Sequence, residues 1–281
     1  MHYKYVLYHM KHIFFTTCIS CFLFVKVDAQ VEQWDTYMAK FGDKPGSVLV
    51  NMGYKDYAPD RKYPFLVITG PQAHTCNKQG LPEKEEIDML EEILNATNNF
   101  ITGVTAKELV GTFTYNCERL NYYYVKDTVG IRNAIMRLYN RNYKNYNYAI
   151  NMKADAGWGT YFNFLYPDKR TLIWMDNDKI ISGMLAGGDD LSKQRDINFD
   201  LFFKTDTGRT SFSEFVHGKA YKTAIKESDN HNYPYELIVT KNGMVKMENV
   251  NNMTEELKGE LTKYNSFYNG WTAPANASAK K

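Results

Sequence analysis

Asp196-Ile197-Asn198-Phe199-Asp200-Leu201-Phe202-Phe203 decides how the chain is read. Ile197, Phe199, Leu201 and Phe203 alternate with Asp196, Asn198 and Asp200, the period of two expected of a β-strand with one apolar and one wet face. Working outward, Ile180, Ile181, Met184 and Leu185 before it predict a short helix stopped by Gly187-Gly188. After it come a short helix over 211–218 and strands over 221–226 and 235–241, and Asn242-Gly243 reads as a hairpin turn. Met253, Leu257, Leu261, Tyr264 and Tyr268 predict a long amphipathic helix, with Asn252 as its cap and Glu255 as the acid of its first turn. Residues 273–281 read as a small, polar tail.

The earlier half mixes the same two periods. Trp34, Tyr37, Met38 and Phe41 fall at i, i+3, i+4, i+7 and predict a helix stopped by Gly42 and Pro45-Gly46. Strands are expected over 47–52, 63–69, 109–115, 119–125 and 146–152. Pro82 opens a helix with Glu83, Glu85 and Glu86 in its first turn and Ile87, Leu90 and Leu94 on its buried face. Asp127 and Thr128 are candidate caps of another helix, facing inward with Ile131, Ile135 and Leu138. Strands and helices do not alternate as regular βαβ units. The expected fold is α+β, two domains of helices packed on mainly antiparallel sheets, with a seam near Pro167 to Asp178.

The chain has 281 residues, formal charge +2 and 22 tyrosines. A strongly basic nucleic-acid binder is excluded by that charge. Lys11 and His12, the mostly apolar run Ile13 to Val25 and Val27-Asp28-Ala29 before Gln30 read as an export signal over residues 1–29, with Met1 or Met10 as initiator. The run is shorter than the ~20 residues a membrane span needs. Removing it takes away three lysines and one aspartate and leaves a neutral chain. Cys18 and Cys21 leave with it; lipid attachment at Cys21 is a weaker alternative. Cys76 and Cys117 then pair most simply as one disulfide in an oxidising compartment, a closure worth ~4 kcal/mol.

Several motifs carry a resemblance. Trp34, Gly80-Leu81-Pro82, Gly111-Thr112-Phe113-Thr114, Arg119 before the tyrosine strand, and Asp155-x-x-Trp158 before Phe164-Leu165-Tyr166-Pro167 make residues 30–170 resemble the domain-of-unknown-function family 695. Gly188-Asp189-Asp190, Arg195 leading into the alternating strand, and Tyr268-Asn269-Gly270-Trp271 make residues 175–272 resemble the RraB-like family, regulators of ribonuclease E activity. That family usually has Tyr-Asp-Gly-Trp at the last motif. The resemblance implies a ferredoxin-like second domain and a protein that binds other molecules. It also implies a cytosolic ribonuclease as partner, which the export signal opposes.

No cofactor fingerprint, phosphate loop or serine-hydrolase elbow occurs, and His74, His217 and His231 lack zinc-site spacing. No catalytic residue, metal or cofactor is assigned. Asp189, Asp190, Asp196 and Asp200 read as capping and solvated charge. The tyrosines have two readings, an aromatic core face or a ligand surface. The candidate binding surface comprises Arg119, Tyr122, Tyr123, Tyr124, Trp158, Asp189, Asp190, Arg195 and Trp271. The functional expectation is a secreted or periplasmic, non-enzymatic module that binds an unknown protein or small ligand, with no nucleic acid and no membrane span after cleavage. Two alternatives stay open. One is a hydrolase using carboxylates near Asp189 and Asp190; the other is a cytosolic inhibitor of an RNA-degrading enzyme, should the N-terminus be retained.

Overall fold

The computed structural model describes residues 32–276. The segment expected to be an export signal, with Cys18 and Cys21, and residues 277–281 lie outside the described residues. The described chain forms two α+β domains on two antiparallel sheets.

The first domain begins with β1 (Trp34–Phe41) and β2 (Lys44–Asn51), a hairpin turning at Gly42-Asp43. This corrects the helix expected over 34–41. Exposure alternates along the segment, so Tyr37 and Phe41 face inward while Trp34 and Met38 face out. A spacing of four fits one side of a strand as well as one face of a helix, and pairing with β2 decides between them. Pro45-Gly46 stops nothing and lies within β2. A Cβ on Gly46 would stand 2.7 Å from the Phe41 ring and 2.8 Å from the Phe113 ring, so glycine there lets the two rings close over the strand.

β3 (Phe65–Pro71), α1 (Lys84–Thr102), β4 (Lys107–Tyr115), β5 (Glu118–Val125), α2 (Ile131–Asn142) and β6 (Tyr148–Ala154) follow. The sheet order is β1-β2-β4-β5-β3-β6, with every neighbouring pair antiparallel. Glu85 and Glu86 occupy the first turn of α1, where the helix dipole favours carboxylates. α2 buries Ile131, Ile135 and Leu138, but its cap is Gly130 without a side-chain bond; Asp127 instead accepts from the Val129 amide. α1 and α2 cover one face of the sheet around Val67, Ile93, Tyr123 and Leu138. The segment Trp158 to Leu165, which includes a π-helical turn (Tyr161–Leu165), covers the other face.

The second domain comprises α3 (Lys169–Ala186), β7 (Gln194–Phe203), α4 (Asp206–His217), β8 (Lys222–Glu227), β9 (Tyr235–Met244), α5 (Met247–Leu261) and β10 (Ser266–Thr272). From β7 onward the order is strand, helix, two strands, helix, strand, and the sheet runs β10-β7-β9-β8, all antiparallel. That is the ferredoxin-like topology. α4 and α5 cover the face bearing Ile197, Phe199, Leu201 and Phe203; among the described residues no helix packs over the opposite face.

Four expectations fail here for identifiable reasons. The short helix expected around Ile180 to Leu185 is the last part of an 18-residue helix, α3, started by Asp168, whose carboxylate accepts from the Thr171 amide at 2.7 Å. Asn242-Gly243 makes no hairpin: both residues pair with Asp196 and Arg195 inside the sheet, and the chain continues into α5. The helix expected to reach Tyr268 ends at Leu261, and Asn252 lies in its interior rather than capping it. Tyr264 and Tyr268 pack on the same core as Leu257 and Leu261, so a shared core mimicked a shared helix face. The expected tail is docked as far as Asn276, whose carbonyl accepts from the Asp190 amide at 2.9 Å.

Candidate functional site

The tyrosine strand and Trp158 form a core rather than a surface. Tyr123, Tyr124 and Trp158 are fully buried and Tyr122 nearly so. Alternation along β5 sends Tyr123 under α1 and α2, and sends Tyr122 and Tyr124 to the opposite face. Tyr124 stacks on Trp158 with centroids 4.0 Å apart, and Trp158 Nε1 donates to the Tyr63 carbonyl at 3.1 Å. Asp155 organises this corner by accepting from the Tyr124 hydroxyl (2.7 Å) and the amides of Gly159 (2.8 Å) and Thr160 (2.9 Å). Burial alone would raise the Asp155 pKa, but these bonds outweigh it and lower it. Burial lifts the phenols of Tyr122, Tyr123 and Tyr124 far above their ordinary range. Arg119 is largely buried beside Glu91 at 3.5 Å, and desolvation lowers its pKa. The Asp-x-x-Trp motif is therefore a folding device.

The candidate residues of the second domain are committed in the same way. Arg195 and Asp189 form a buried pair, with Nη1 2.8 and 2.9 Å from the two carboxylate oxygens. Arg195 also donates to the carbonyls of Pro274 (3.0 Å) and Asp190. This cation ties the loop before β7 to the segment after β10. Asp190 turns outward to Ser192 and Lys193, so Asp189 and Asp190 do not converge in a cleft. Trp271 is buried and donates to Asn177 Oδ1 at 2.9 Å, while Asn177 donates to Asn251 at 2.8 Å, joining β10, α3 and α5. Trp271 and the tyrosines thus belong to different domains and different cores, which corrects the single binding surface expected of them. Among the described residues, no group of three or more His, Cys, Asp or Glu is placed to hold a metal.

Cys76 and Cys117 are joined as a disulfide, with Cα atoms 5.9 Å apart. Asn116 and Cys117 both have positive φ (48° and 68°) at the tip of the β4–β5 hairpin. The bond fastens the loop leading into α1 to that tip, beside the Cys117 amide, which donates to the Gly80 carbonyl at 2.7 Å.

What remains open is the uncovered face of the second sheet. A hollow of about 560 Å³ lies there, lined by Asn198, Asp200, Lys226, Glu236, Ile238 and Asn269 among others. Asn269 sits at a bulge in β10, and Gly270 beside it takes φ 112°, a conformation that favours glycine. Asn269 Nδ2 donates to Asp200 Oδ2 at 3.2 Å, and Thr240 donates to Asn198 at 2.7 Å. Asp200 Oδ1 is buried and receives no hydrogen bond while its neighbour Glu236 is ionised. Burial and then the charge of Asp200 raise the Glu236 pKa; Lys226, 3.7 Å away, offsets part of that. Phe202, Phe267 and Tyr233 form an aromatic end to the face, with Phe267 half exposed. The face can accept hydrogen bonds and cationic groups at its centre and flat apolar groups at its end. Asp200 was legible as a strand residue of the wet face. Glu236 was missed, because its nearness to Asp200 depends on the β7–β9 register.

An antiparallel sheet whose central strands are covered on both faces, followed by a ferredoxin-like domain, defines the architecture. Residues 32–166 match a family of unknown function (DUF695), and residues 174–272 match the regulator of ribonuclease activity B (RraB) family, so both resemblances read from the motifs hold. No curated protein matches the chain.

Proposed function

We propose that the protein is an exported, non-catalytic regulatory module that binds a protein or small ligand through the open face of its ferredoxin-like sheet. The observation that carries this reading is the unpartnered, buried Asp200 oxygen in the hollow of that face. A buried acceptor without a donor costs about 1–3 kcal/mol, a cost that a ligand's N–H group would remove. The match of this domain to a family of regulators supports binding rather than turnover. The Cys76–Cys117 disulfide supports an oxidising compartment. No helix among the described residues is long and apolar enough to cross a membrane.

Intact mass of the native protein from fractionated cells tests the compartment: a chain beginning at Gln30 outside the cytosol is expected. A cytosolic chain beginning at Met1 or Met10 would instead favour the second reading, an inhibitor of an RNA-degrading enzyme, which the RraB match alone supports. Crosslinking in cells from a photoreactive group at position 238 tests the face. A discrete adduct is expected, and its absence would count against the open sheet as the binding site.

A further inference from the structure

The two domains pack together as one compact unit, and a cleft of about 530 Å³ lies where they meet. β1 of the first domain forms one wall, and α3 and α5 of the second form the other. Small-molecule sites favour such junctions and span roughly 300–1,000 Å³. Met38, Trp174, Met175 and Met247 line the cleft with adaptable or flat apolar surface. Lys179 donates to Asp35 at 2.5 Å from one wall to the other, and Asp178 adds a second carboxylate. Two carboxylates against one ammonium leave the lining net negative, which disfavours an anionic ligand.

Asn251 also lines the cleft and is only 7% exposed. The orientation of its amide is set by a relay that starts at Trp271. An indole N–H only donates, so Asn177 must turn its oxygen toward Trp271 Nε1, 2.9 Å away. The Asn177 nitrogen then faces Asn251 and donates to its Oδ1 at 2.8 Å. Asn251 is left with its Nδ2, which donates to no group among the described residues and is not sealed inside the protein.

From this arrangement we infer that the cleft binds a small, uncharged, largely apolar molecule whose carbonyl oxygen accepts from Asn251 Nδ2. The apolar walls take the body of the ligand. The net charge disfavours a carboxylate as the acceptor, and the relay makes Asn251 the donor that orients it. Asn177 and Trp271 are positioning residues, acting only through Asn251. The cleft shares no lining residue with the hollow of the open sheet face, so the two sites are independent.

Equilibrium dialysis of the purified protein against prodan, an uncharged naphthyl ketone, tests the site. The reference compound is its propyl analogue, in which a methylene replaces the carbonyl. Wild type is expected to bind prodan. Met38→Trp fills the cleft from an exposed position and is expected to weaken both compounds by about tenfold or more. Asn251→Asp keeps an acceptor for Asn177 but replaces the donor with a carboxylate oxygen. It is expected to lower the preference for prodan over the analogue by about tenfold. Comparing the ratio of the two affinities cancels general apolar attraction. Circular dichroism checks that each variant is folded. Should Asn251→Asp fail to fold, the Asn251 side-chain amide resonance of the wild type decides: a shift with prodan and none with the analogue is expected, and equal shifts would overturn the inference. So would failure of the wild type to bind prodan, unchanged binding in Met38→Trp, or an unchanged preference in Asn251→Asp.

Discussion

β5 and β7 are the central strands of two sheets that treat their faces differently. From Asn121 to Val125, β5 is buried at every position, because helices cover one side of its sheet and the Trp158 segment the other. β7 alternates between buried and accessible positions, because only one of its sides is covered. A doubly covered strand reads as a continuous bulky run, and a singly covered one as apolar and polar in turn. The tyrosine excess that suggests recognition is spent mainly on the doubly covered sheet, as ring volume. The residues free to meet another molecule are the short polar ones of the singly covered sheet. Composition pointed to one domain and exposure to the other.

The comparison breaks if large residues on the two sheets prove equally important to folding. Trp158→Ala removes a fully buried ring and its stack on Tyr124 and should cost about 4 kcal/mol in urea unfolding, whereas Phe267→Ala on the open face should cost less than about 1 kcal/mol. Asp189→Ala leaves the Arg195 guanidinium buried without its carboxylate. It should cost about 3 kcal/mol and free the segment after Thr272 for proteolysis.

A smaller effect is expected at the start of α3. Asp168→Ala should cost about 1 kcal/mol at neutral pH. The Thr171 amide bond holds the Asp168 carboxyl below its ordinary pKa. Its contribution is therefore fully present above the unfolded value of ~3.9 and is lost as pH falls through the lower folded value. The gap between wild type and Asp168→Ala should narrow in acid and stay constant from pH 6 to 8. The smallest effect on stability belongs to Asp200→Asn, which replaces an unpartnered carboxylate oxygen of the open face and should be neutral or slightly stabilising.

Most of the architecture was legible in the sequence because it rests on local pattern. The strand at 197–203, the acidic start of α1 and the buried face of α2 are set by residues within a few positions of one another. Three errors share one cause. At 34–41, 242–243 and 264–268 the local pattern fits two structures, and strand pairing chooses between them: with β2 for the first, with Asp196 and Arg195 for the second, with β7 for the third. The candidate site was less legible still. Trp158, Arg195 and Trp271 stand out as unusual residues in motifs, and each proves to hold the fold together. Glu236 is an ordinary residue, and Asn269 stands out only as the motif's departure from aspartate; register and a bulge set both around Asp200.

The central claim is that the open sheet face serves binding while the motif residues serve folding. The most direct measurement takes Asp200→Asn and reads two quantities on it, unfolding stability and in-cell crosslinking from position 238. Unchanged or slightly raised stability together with loss of the crosslinked partner is the predicted result. A variant destabilised by more than about 1 kcal/mol that still crosslinks like the wild type would contradict it.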